Sequence, residues 1–204
     1  MKFLKLKLLV FALMIFVASP AFASLSYEVT VNTSSIAGDS GYLYFQYTPV
    51  NAAASTATLS GFTTDGVLGA QDTVDVVNGS AVSGTLPGSV VFANTNGVND
   101  YNHAMTTFGN TISFDVLLST PASGGPSYGS TTFSLGIFAD AFGNTPLLNV
   151  NGGNYAGTLF TISLNNDGTG EYQTMADTNV TPIPASVLLF APGLLGLVGL
   201  RRRA

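Results

Sequence analysis

The octapeptide Thr111-Ile-Ser-Phe-Asp-Val-Leu-Leu118, TISFDVLL in one-letter form, decides the fold. Ile112, Phe114, Val116 and Leu118 take every second position, with Thr111, Ser113 and Asp115 between them. Successive side chains of a strand point to opposite faces, whereas a helix brings together positions three and four apart. A helix would scatter these apolar groups; a strand gathers them on one side. The same period continues outward. It places Tyr27, Val29 and Val31 together in SYEVTVN, Phe133, Leu135 and Ile137 in TTFSLGIFAD, and Phe160, Ile162 and Leu164 in TLFTISLNN. GYLYFQYTP (Gly41–Pro49) and STATLSGF (Ser55–Phe62) are further strands, the first with aromatics on both faces. Asp167-Gly168 is a hairpin turn signal, and Asn78-Gly79 and Pro87-Gly88 mark other turns. Between the two ends of the chain no stretch carries capped helical periodicity. The expectation is an all-β, antiparallel β-sandwich, jelly-roll-like, of about nine to eleven strands. A β-solenoid is the alternative, but no fixed repeat period runs along the chain.

Composition narrows the function. The chain has no Cys, no Trp and one His, and only 8% of its residues are charged. Ordinary apolar content with many Phe and Tyr points to a folded domain surfaced by Ser, Thr, Asn and Gly, not to disorder. Without Cys there are no disulfides, no thiol catalysis and no thiolate metal sites. Charge is segregated: Lys2, Lys5 and Lys7 stand at the front, Arg201, Arg202 and Arg203 at the back, and all 11 acidic residues lie between them. Phosphate neutralisation needs Lys or Arg, so this anionic middle excludes nucleic acid as a partner. Acidic glycans and lipid headgroups are repelled as well, unless a divalent cation bridges them.

Residues 1–23 have the three parts of a secretory signal: a basic start, the apolar run Leu8–Ala18, and the small-residue site Ala21-Phe22-Ala23. Cleavage by signal peptidase after Ala23 makes Ser24 the first residue of an all-β extracellular domain over 24–175. A short tether over 176–181 then leads to a C-terminal segment, 182–204. Its apolar, uncharged stretch 183–200 is long enough to span: as a helix it measures roughly 27 Å against a hydrocarbon core of about 30 Å. Arg201, Arg202 and Arg203 anchor it on the cytoplasmic side. Gly193, Gly196 and Gly199 line one side, where a second helix can approach closely. Pro182 and Pro184 force an extended entry that a processing enzyme can grip.

This ending resembles the PEP-CTERM sorting signal of Gram-negative bacteria: Pro182-Ile183-Pro184, then an apolar segment containing LLGLVGL, then the arginine cluster. The family's central Glu is Ile183 here, a variant motif. The resemblance implies recognition and cleavage by an exosortase, a passing inner-membrane anchor, and delivery to the cell surface or the extracellular polymer matrix. The catalytic Cys would belong to the exosortase. A permanent single-pass anchor is the competing reading. SGYLYFQYTP, ATLSGFTTDGVL and STTFSLGIFAD also look like an all-β ectodomain type recurrent among such proteins, one with no assigned role.

Candidate chemistry in the middle is sparse. His103, in NDYNHAM, reads as an exposed loop residue, and no G-x-S-x-G elbow surrounds any Ser. Glu28, Glu171 and the aspartates could supply a glycosidase pair, but Asp39-Ser40-Gly41 and Asp65-Gly66 are turn contexts. No catalytic residues are assigned, and the expectation is a protein that is not an enzyme. Calcium is the one cofactor considered. NTNGVNDYN (Asn94–Asn102) and NNDGTGE (Asn165–Glu171) concentrate oxygen donors, with Asn165, Asp167 and Glu171 as candidate ligands. Turn formation competes as the explanation of both. Tyr42 and Tyr44 on one face of a strand, with Phe45 and Tyr47 on the other, are candidates for stacking sugars; a strand buried on both sides competes. The expected role is an exported surface or matrix protein associated with exopolysaccharide or biofilm. The alternative is a carbohydrate-binding module for an exopolysaccharide or external glycan.

Overall fold

The computed structural model describes residues 24–72, 81–95, 97, 99–119 and 128–184. Among them run twelve strands: β1 (Leu25–Asn32), β2 (Gly41–Val50), β3 (Thr56–Thr64), β4 (Val67–Gln71), β5 (Val82–Gly84), β6 (Val90–Ala93), β7 (Asn99–Thr107), β8 (Thr111–Leu118), β9 (Ser130–Phe138), β10 (Thr158–Asn165), β11 (Gly170–Thr174) and β12 (Thr178–Ile183). Two six-stranded sheets form, ordered β12-β1-β8-β3-β6-β5 and β11-β10-β9-β2-β7-β4, with antiparallel pairing throughout. The protein is an all-β sandwich.

The opening octapeptide is β8, flanked by β1 and β3. Its inward residues meet matching apolar partners, Val29 opposite Phe114 and both Tyr27 and Leu59 opposite Val116. The facing sheet contributes Phe45, Phe133 and Phe160, and rings from the two sheets meet edge-on: Phe45 with Phe114 at 5.6 Å, Phe92 with Phe133 at 5.5 Å. Each such ring contributes about 1.5–3 kcal/mol through burial. This seam joins the sheets without a disulfide.

Two sequence expectations are overturned. The stretch around His103, read as a polar loop, is strand β7, lodged between β2 and β4. The tether expected over 176–181 is for the most part β12, hydrogen-bonded along β1 from Val31↔Thr178 to Ser26↔Ile183. Its polar, proline-containing sequence hides the strand, but Val180 reaches into the core at 4% exposure. Ile183, expected to open a membrane helix, closes this strand instead.

Because β1 and β12 are antiparallel neighbours, the chain enters the sandwich at Leu25 and leaves it at Ile183 from the same end. No helix among the described residues is long and apolar enough to cross a membrane. Residues 1–23 and 185–204 lie outside the described residues, and with them Ala21, Ala23, Gly193, Gly196, Gly199 and Arg201, Arg202 and Arg203. The turn expected at Asn78-Gly79 lies outside them too.

Candidate functional site

Strand β2 carries the aromatic candidates and splits them. Phe45 and Tyr47 point inward with no exposed surface, so neither can stack on a sugar. Tyr47 donates or accepts a 2.7 Å hydrogen bond with Ser55 inside the core. Tyr42 and Tyr44 lie half-buried on the outer face of the second sheet. The Tyr44 ring stands edge-on to Phe138 at 5.8 Å, and its hydroxyl donates toward Asp100 at 3.4 Å. Two polar rows extend beside these tyrosines: Asp100, Gln46, Ser134, Thr161 and Gln173, then Thr48, Thr132, Ser163 and Glu171. This outer face, aromatic at one side and rich in amides and hydroxyls, contains no cation.

The calcium candidate at Asn165–Glu171 is built around a turn. Asp167 Oδ1 accepts from the Thr169 N–H at 2.8 Å and the Thr169 hydroxyl at 2.6 Å, and Asn165 Nδ2 donates to Thr169 Oγ1 at 3.0 Å. These bonds from Thr169 hold the Asp167 carboxyl below its ordinary value and close the β10–β11 hairpin. Glu171 stands on β11 opposite Ser163, away from the turn's donors. In the other segment, Asn94 is buried: Oδ1 accepts from Ser55 N–H, while Nδ2 donates to Ala53 O, Ser55 Oγ and Thr131 Oγ1. That amide ties the loop after β6 to the β2–β3 loop and to the start of β9. Among the described residues no three acidic or histidine side chains come together as a metal cluster.

His103 is 3% exposed, not a surface loop residue. Its Nε2 lies 3.2 Å from Gly69 O, and its Nδ1 lies 2.9 Å from Tyr101 Oη, which itself accepts from Leu86 N–H at 2.9 Å. A carbonyl only accepts, so Nε2 carries the hydrogen and Nδ1 receives the Tyr101 proton. Burial pushes its pKa down, partly offset by Gly69 O. This is a neutral structural histidine joining β7 to β4 and the β5–β6 turn. Sequence reasoning missed it because apolar periodicity does not register a polar group buried by hydrogen bonding.

The Pro-x-Pro motif is divided. Pro182 and Ile183 lie in β12 opposite Tyr27 and Ser26, and Pro184 is the first residue beyond the strand. Ser24, the expected start of the mature chain, immediately precedes β1. One shallow depression of about 320 Å³, lined by Phe62, Thr63, Thr64, Gly66, Leu68 and Pro87, opens near the β3–β4 turn and holds no charged group. No family model, curated protein or solved structure matches this chain.

Proposed function

We propose that this chain is an exported, non-enzymatic surface or matrix protein, sorted and cut by an exosortase through its C-terminal signal. The carrying observation is the segregation of charge: every Lys and Arg lies outside residues 24–184, and every Asp and Glu lies within them. That pattern suits a leader and an anchor flanking an acidic domain destined for the outside. The sandwich supports the reading in a second way, since residues next to both apolar segments emerge at one end of it. A domain docked there would stand on the membrane until released. The nested pairing of β1 with β8, β2 with β7 and β3 with β6 suits a jelly-roll-like arrangement. Fractionation of the host tests the proposal. The protein is expected in the matrix of cells carrying an exosortase and in the inner membrane of cells deleted for it. The same distribution in both strains contradicts it.

The second reading, a carbohydrate-binding module, is favoured by the outer face bearing Tyr42 and Tyr44. With no cation present, a neutral polysaccharide suits this face better than an acidic one. Replacing both tyrosines by Ala should weaken retention on neutral exopolysaccharide by about five- to thirtyfold, in line with the loss of about 1–2 kcal/mol. Unchanged retention counts against it.

A further inference from the structure

We propose that strand β12 decides where the tail can be cut: the sandwich withholds the peptide bonds from Thr178 to Ile183, so a folded chain is processed only beyond Pro184. The mature protein then keeps its last strand. The existence of a cut rests on the sorting reading above; its position rests on the sheet.

Six residue pairs bind β12 to β1, and Val180 is packed into the core opposite Val29. The approach is fixed too. Met175 N–H donates to Leu159 O at 2.8 Å, and Asn32 N–H donates to Asp177 O at 2.7 Å. A protease commonly takes its substrate as an extended chain that pairs with an enzyme strand. On its inner side β12 is already paired with β1. On its outer side Pro182 has no N–H to offer, which also blunts the edge against stray strands. Only Pro184 separates the end of the strand from Ala185, where the apolar segment begins. Among the described residues no unpaired stretch longer than Pro184 follows β12, so reaching upstream bonds requires peeling β12 and exposing Val180, a sub-global opening.

The step itself is ordinary hydrolysis. In net terms the C–N bond breaks after the enzyme's Cys thiolate adds to the scissile carbonyl, the released tail takes a proton on its amine, and water then frees the upstream product from the thioester as a carboxylate, restoring the thiol.

Intact-mass measurement on protein released by the native host reads the new C-terminus. An end at Pro184 or later is expected; an end between Thr178 and Ile183 overturns the proposal and leaves the sorting reading standing. Full-length protein extracted in detergent and digested with proteinase K gives an answer independent of any host enzyme. A persistent fragment reaching at least to Pro184 is expected, and Val180→Ala should speed cutting within 178–183 by about tenfold through easier opening. Early cutting inside that stretch in the unaltered chain, or no acceleration in the variant, overturns the proposal. If the host releases nothing, the sorting reading falls and the digest alone decides.

Discussion

Asn94 carries more of the structure than any sequence pattern suggests. Its amide meets Ala53 and Ser55 from the β2–β3 loop and Thr131 from the start of β9, with every polar atom of the side chain used. Asn94→Ala strands several buried partners, a cost of about 2–3 kcal/mol, and should lower the melting temperature by about 4–12 °C. His103 and Asp65 give the fold two separate responses to acid. The folded pKa of His103 lies below its ordinary 6.5, so the unfolded chain takes up the proton first. Stability should therefore begin to fall as pH drops through 6.5, and this first loss should be absent in His103→Gln. Asp65 accepts from Asn110 N–H, Thr111 N–H and Asn110 Nδ2, which hold its pKa at about 2 instead of 3.8. Its contribution is complete above 3.8 and disappears between that pH and about 2. Asp65→Asn should shrink the loss in that lower window, to which Asp140 and Asp167 also contribute, and leave the upper one unchanged, as denaturant titration across pH would show.

At the scale of elements, legibility followed apolar alternation. β1, β2, β3, β8, β9 and β10 were all readable because one face of each is greasy and the sheet buries that face. β7 escaped notice because Asn99, Asn102 and His103 are buried through hydrogen bonds rather than by apolar character. β12 was hidden because one buried valine among Thr, Asn and Pro makes no pattern. The same blindness turned Ile183, the last residue of β12, into an apparent membrane entry. β5 and β6 form a hairpin around Leu86-Pro87, and this hairpin depends on Gly84. Gly84 has φ of +93°, and a Cβ there would collide with the Ser89 carbonyl oxygen. Gly84→Ala should cost about 1–3 kcal/mol, seen as an earlier urea midpoint with an unchanged slope. The candidate site was half legible: four aromatics were found on two faces, but periodicity gave no sign of which face the second sheet would fill.

The described residues form an acidic sandwich that the chain enters and leaves at one end. Phe45→Ala would remove a ring that packs on Phe114 and Phe133 and should cost about 3–5 kcal/mol; Tyr42→Ala, on the outer face, should cost far less. That contrast separates core aromatics from surface ones in a single melting experiment. It also shows which variants remain folded enough for binding work. The fate of the apolar tail decides whether this chain is sorted and cut as proposed. Mass spectrometry of the protein in the host's extracellular matrix measures this directly: a species starting at Ser24 and lacking Arg201, Arg202 and Arg203 is the expected result. Full-length chain that still carries the three arginines, held in the inner membrane of a host with an active exosortase, would contradict it.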